Sequence, residues 1–309
     1  MATAMQSTES LSALSSLSTE ARNPASEHID TLPTLDMLRV INREDATVPA
    51  AVAAELPHIA SAVDAIADRF NRGGRLFYIG AGTSGRLAVL DASECPPTFS
   101  VPPSLVQGII AGGDSALRTS AEAAEDSPQQ GAADLAARNL TPNDTVDGIA
   151  ASGRTPYVLG ALAHARTHGA LTVALSCVPN SPLSQAAEIA IAPNTGPEVL
   201  TGSTRLKAGT ATKLVLNMLS TGVMIRTGAV FGNLMVNVQP TNGKLRDRAE
   251  RIIMAAADVD QPSAAELLDK AGSVKTAIVM HRLQLSRNQA EARLAIVKGR
   301  LAEALKSAE

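Results

Sequence analysis

The chain has 309 residues, enough for one large domain with a small one or for two medium ones. Apolar residues make up 45%, too many for a disordered chain, yet aromatics are only 2%, so Ala, Leu, Ile and Val must build the core. The 27 basic and 30 acidic residues leave a net charge of −3, which argues against nucleic acid or an anionic membrane as partner.

Cys95 and Cys177 form neither a disulfide framework nor a Cys-x-x-Cys pair, a pattern expected of a cytoplasmic protein. The first twenty residues are Ser-rich and carry Glu9 and Glu20 without a continuous apolar run, unlike a signal peptide. Residues 1–22 read as a mobile tail. A helical pattern covers about residues 35–70, with Pro49 and Pro57 marking breaks or helix starts. A short apolar strand follows at 75–80 and then a Gly-rich turn. A second strand at 105–111 runs into Gly112-Gly113.

Ala-rich helices are expected at about 115–125 and 129–139. A third strand at 145–151 carries Asp147, a charge out of place in a buried strand. A helix at 156–168, strands at 171–176 and 188–192, and a long helix at 207–227 complete this pattern. The apolar stretch 214–225 is interrupted by Asn217, Ser220 and Thr221 and is shorter than the ~20 residues of a membrane span. Beyond Pro262 three short helices are expected, at 263–271, 274–283 and 289–305.

Strands alternating with helices define an α/β fold, a parallel sheet with helices on both faces. The expected organisation is a tail (1–22), a main domain (23–258) and a small helical C-terminal module (259–309).

Ligands of such sheets bind beyond the carboxyl ends of the strands. Three loops expected there share Gly, Ser and Thr: Gly80-Ala-Gly-Thr-Ser-Gly85, Ala151-Ser-Gly-Arg-Thr-Pro156 and Thr201-Gly-Ser-Thr-Arg-Leu-Lys-Ala-Gly209. Glycines let the backbone approach an anion, and N–H groups with nearby hydroxyls cradle phosphate. The candidate ligands are Gly82, Thr83, Ser84, Ser152, Gly153, Thr155, Ser203 and Thr204. Arg205, Lys207 and Lys213 flank the third loop and read equally as anion-attracting groups or solvated charges. The first loop also matches a dinucleotide fingerprint, but the acidic residue expected about 20 positions on is missing; Asp114 lies too far along.

Glu94 follows the first loop in Asp-Ala-Ser-Glu-Cys-Pro-Pro-Thr, where two prolines are expected to stop a helix. It reads as a helix-end carboxylate or a catalyst. Glu122, Glu125 and Asp126 would share a helix face and raise one another's pKa, as suits a base working near neutrality. His164 and His168 are four apart, but Ala165 stands where a zinc-protease pattern needs Glu, so they read as helix-surface residues.

The segments 80–87, 91–98, 124–127, 150–157 and 201–221, with Thr-Glu-Ala-Arg-Asn-Pro-Ala-Ser at 19–26 and Asp30, resemble the N-acetylmuramic acid 6-phosphate etherase family. The resemblance covers nearly the whole chain from about residue 19. It implies a sugar isomerase (SIS) fold, a homodimer with sites near the subunit interface, and neither metal nor organic cofactor. It places the catalytic acid on Glu94 and the base on Glu125. The implied reaction releases D-lactate and leaves N-acetylglucosamine 6-phosphate, a step in recycling bacterial cell-wall sugars. Ala21, where Ser is expected, and Asp147, where an apolar residue is expected, depart from the pattern.

That chemistry suits two carboxyl groups. The open-chain aldehyde at C1 acidifies the C2 hydrogen, and the lactyl ether at C3 leaves by β-elimination. The acid, Glu94, should occupy an environment that keeps it protonated. Two rivals use related folds: a sugar-phosphate-binding regulator resembling glucokinase regulatory protein, and an isomerase with Glu198 as base.

Overall fold

The computed structural model describes residues 18–119 and 121–306. By contacts the chain divides into two units, one running to Ser93 and from Ser104 to Ser220, the other comprising Glu94–Pro103 and Thr221 onward.

In the first unit, α1 (Thr34–Asp45), α2 (Val48–Ala54) and α3 (Leu56–Asn71) precede the sheet. Pro49 and Pro57 sit in the first turns of α2 and α3, where a missing N–H costs nothing. Five parallel strands follow: β1 (Leu76–Gly80), β2 (Val106–Ile110), β3 (Thr145–Ile149), β4 (Leu171–Leu175) and β5 (Ile189–Ile191), in the order β2-β1-β3-β4-β5. Every residue of β1, β3 and β4 is buried, as expected of strands covered on both faces.

The connecting helices are α4 (Gly82–Phe99), α5 (Pro128–Ala136), α6 (Pro156–Thr167), α7 (Pro182–Ala186) and α8 (Lys207–Arg226). One face of the sheet buries Phe77, Ile79 and Val146 against Tyr157, Val158, Ala161 and Leu162 of α6. α5 and α6 approach closely because Gly131 and Gly160 meet the backbone of Tyr157 and Pro128, with no room for a Cβ. The Tyr157 hydroxyl donates to Asp134 at 2.6 Å.

On the other face, Asp147 is fully buried and neither carboxylate oxygen has a hydrogen-bond partner. Its neighbours in register are Tyr78 on β1 and Val173 on β4. Burial, with the negative charge of Asp91 adding to it, pushes Asp147 up to about 8. Asp91 is itself buried and accepts from Asn217 Nδ2 at 2.7 Å and Ser220 Oγ at 3.2 Å.

The second unit holds α9 (Gly243–Ala257), α10 (Gln261–Ala271), α11 (Val274–Leu283), α12 (Arg287–Ile296) and α13 (Leu301–Ala304). Its core joins Val236 and Val238 with Ile252 and Ile253 of α9, Leu268 of α10, Ile278 of α11 and Leu301 of α13.

Several expectations need correction. Residues 115–125 form no α-helix but two 3-10 turns, Asp114–Leu117 and Glu122–Asp126. Only Ala116 is buried in them, and so short a segment without an apolar face to bury cannot hold a helix on propensity alone. Pro96 and Pro97 lie inside the last turn of α4 rather than after it, and the helix ends two residues beyond Pro97; Ser100 N–H closes that turn onto Pro96 O, and Ser100 turns left-handed at φ 53°. The helix expected at 289–305 breaks between α12 and α13, where Lys298 and Gly299 have positive φ.

By contacts α9 falls in the second unit, where it shares a core with the helices after it. Residues 1–17 of the expected tail lie outside the described residues. Its last residues are packed: Thr19 is buried, and Glu20 Oε2 lies 3.1 Å from where a Gly202 Cβ would be. Among the described residues, no single helix is long and apolar enough to cross a membrane.

Candidate active site

The order β2-β1-β3-β4-β5 reverses direction between β1 and β3, and a crevice opens beyond the carboxyl ends of strands at such a point. The first and second loops leave β1 and β3 on either side of it. α4 starts tightly: a Cβ on Gly85 would lie 2.6 Å from Ile110 Cγ1 and 2.8 Å from Gly80 O. Gly82 opens the helix at φ +52°.

Glu125 reaches this loop. A Cβ on Gly82 would sit 3.2 Å from Glu125 Oε1. The third loop reaches it too, since a Cβ on Gly209 would lie 3.5 Å from Thr83 Cγ2. In the second loop Gly153, at φ +66°, presses on the Ser181 side chain so closely that a Cβ would overlap it. Gly153 O accepts from Leu183 N–H at 2.9 Å, which ties the loop to α7.

The side-chain hydroxyls of Thr83, Ser84, Ser152, Thr155, Ser203 and Thr204 make no hydrogen bond with any described residue, and all but Ser84 are half-buried. Ser84 is more deeply set, at 8% exposure. Pre-positioned, uncommitted hydroxyls beside glycine turns suit an anionic, polyhydroxylated ligand.

Glu125 is half-buried in the second 3-10 turn. Burial raises its pKa, the charges of Asp126 and Glu122 add to the rise, and Arg86 opposes it. The expected crowding of carboxylates is present, though on a 3-10 turn, where Glu122 and Glu125 eclipse each other.

Glu94 belongs to the second unit, beside a cavity of about 590 Å³. Its side chain is exposed and makes no hydrogen bond with a described residue, so the enclosure expected of the acid is not provided by the chain as it stands.

Two further expectations change. Glu198 is fully buried and receives the N–H groups of Lys207 and Ala208, both at 2.9 Å, so it caps α8. That removes the observation favouring it as an isomerase base. Lys207 is buried and paired with Glu44 at 2.8 Å, so it is committed to structure. Arg205 and Lys213 remain exposed. Sequence reasoning passed over Arg86 and Arg154; Arg154 Nε is buried in the second loop without a partner. A cation within a Ser-Gly-Arg-Thr loop was the available signal.

The fold and its loops define a SIS-domain protein. A model of the glucokinase regulatory protein N-terminal SIS domain matches residues 58–166, and one of the SIS domain matches 122–222. The chain is 58% identical over 282 residues to N-acetylmuramic acid 6-phosphate etherase of Aeromonas hydrophila, covering 91% of this chain and 95% of that one. It is 54% identical over 293 residues to the same enzyme of Clostridium beijerinckii, covering 94% and 96%. The chain belongs to the N-acetylmuramic acid 6-phosphate etherase family. Among solved structures it is similar to a phosphoheptose isomerase from Francisella tularensis, at 22% identity and a TM-score of 0.48, covering 62% of this chain and 98% of that one.

Proposed function

We propose that this chain is a carbon–oxygen lyase that cleaves the D-lactyl ether of N-acetylmuramic acid 6-phosphate. The observation that carries the reading is the Glu125 carboxylate lying against the Gly82 turn, in a loop whose Thr83 and Ser84 hydroxyls have no partner among the described residues. The family to which the chain belongs points to the same substrate.

In this reading the three Gly/Ser/Thr loops hold the phosphate and sugar. Glu125 removes the C2 proton of the open-chain sugar. Electrons move into the C2–C3 bond as the C3–O bond breaks, and Glu94 protonates the departing ether oxygen to give D-lactate. Water then adds at C3 and the C2 proton is restored, which yields N-acetylglucosamine 6-phosphate. Each positioned proton transfer contributes about 10²–10⁴-fold. Neither a metal nor an organic cofactor takes part. The raised pKa of Glu125 brings its basicity closer to that needed for a carbon acid.

The proposal extends to a cytoplasmic homodimer acting in cell-wall sugar recycling, with its sites near the subunit interface. The segment 259–309 supports packing and does no chemistry. The deciding experiment is D-lactate release from N-acetylmuramic acid 6-phosphate. Tight binding without lactate would identify a regulator, and formation of a ketose phosphate would identify an isomerase.

A further inference from the structure

Within the second unit, Glu94 lines the cavity of about 590 Å³ together with Met235, Gln239, Thr241, Leu245 and Arg248. Arg248 is the one cation among the described residues lining it. The other arginines of α9 are engaged. Arg246 pairs with Glu250 at 3.1 Å and with Asp269 at 2.7 Å, and Arg251 pairs with Asp247 at 2.6 Å. Arg248 is half-buried and makes neither an ion pair nor a hydrogen bond with any described residue.

We infer that Arg248 is the specificity residue for the lactyl carboxylate. The inference rests on the etherase reading and assigns a part of the substrate that the three loops leave unaccounted for. The substrate carries two anions, the 6-phosphate and the lactyl carboxylate. The carboxylate carbon is two bonds from the ether oxygen, which is the atom Glu94 must protonate. A group that recognises this carboxylate therefore has to lie in the same cavity as Glu94. A guanidinium presents paired N–H donors that match a carboxylate. Gln239 and Thr241 add neutral donors, and Met235 and Leu245 offer apolar surface to the lactyl methyl.

The product, N-acetylglucosamine 6-phosphate, keeps the phosphate and lacks the lactyl group, which makes the test selective. Arg248→Gln should raise KM for N-acetylmuramic acid 6-phosphate by about 10- to 150-fold, and Arg248→Lys should recover part of the loss. Exchange of the C2 hydrogen of the product with deuterated solvent should be unchanged in both variants. An analogue with the lactyl carboxylate converted to its amide should bind the wild-type protein weakly and lose nothing further in Arg248→Gln.

Unaltered KM in Arg248→Gln overturns the assignment. So does an equal loss of product exchange in a variant whose thermal melt matches that of the wild type, which would place the phosphate on Arg248. Wild-type protein that releases no lactate would sink the etherase reading itself, a result distinguishable from a normal wild type with an indifferent variant.

Discussion

Glu125 Oε1 lies 3.2 Å from where any other residue in place of Gly82 would put its β-carbon, a contact tighter than such atoms usually make. The turn and the carboxylate are therefore fitted to each other. Gly82→Ala should cost about 1–2 kcal/mol in stability, because a side chain is strained at φ +52°. It should also shift the Glu125 carboxylate by a few tenths of an ångström. C2–hydrogen exchange should then fall by up to about 100-fold, the scale of a small misplacement of a reacting group. Thermal melts and an exchange assay on the same sample separate the two effects. Full exchange in a folded Gly82→Ala would show that Glu125 does not act at this turn.

The two glutamates should fail differently. Glu125→Gln should abolish both lactate release and C2 exchange, by at least about 100-fold. Glu94→Gln should slow lactate release severely and leave exchange intact, because the base remains. A reversed pattern would swap their roles. A fully active Glu125→Gln alongside a dead Glu122→Gln would move the base one 3-10 turn earlier.

Ser84→Ala removes a hydroxyl that no described residue uses and leaves the backbone donors of the first loop. Affinity for the 6-phosphate substrate should fall by roughly 10- to 150-fold. Binding of the unphosphorylated sugar should barely change. Equal losses for both ligands would remove the loop from the phosphate site.

Asp126 and Glu122 help burial to raise the pKa of Glu125. Asp126→Asn should therefore move the acidic limb of the kcat/KM profile to lower pH, and Arg86→Gln should move it to higher pH. A limb that stays in place in both variants would mean that another group sets it.

The raised pKa of Asp147 makes a stability prediction. The folded state holds this proton up to about 8, whereas the unfolded chain releases it near the ordinary value of 3.8. The contribution is thus fully present below pH 3.8 and is lost progressively as pH rises through about 8. Asp147→Asn keeps the shape and removes the titration. Between pH 6 and 9 the Tm of the wild type should fall more steeply than that of the variant. Parallel Tm curves would show that Asp147 does not titrate in this range.

The sheet was legible because its strands are short apolar runs bounded by glycine and because the prolines of α2 and α3 mark their own helix starts. The glycine loops were legible for the same local reason. The 3-10 turn that carries Glu125 was not, since alanine-rich sequence favours a helix and only the absence of a face to bury forbids one. α9 was missed because its many charges hid a readable stripe, Leu245, Ala249, Ile252, Ile253 and Ala256, that faces the core. The commitment of Lys207 could not be read, because Glu44 lies 163 residues away, and that of Glu198 required the turn that brings the start of α8 back onto it. Asp147 was correctly singled out as a misplaced charge, although its proximity to Asp91 required the fold.

The same remote partnerships set the order in which the molecule can assemble. Lys207 meets Glu44 across 163 residues, and Asn23 reaches Pro197 O across 174. Contacts so far apart in sequence close slowly, since a large loop must be ordered before they form. On the ribosome, Glu44 lacks its Lys207 partner until the start of α8 has emerged. The third loop can take its final shape only after nearly the whole first unit has been synthesised. Competence to hold a sugar phosphate is thus a late event in the life of the nascent chain.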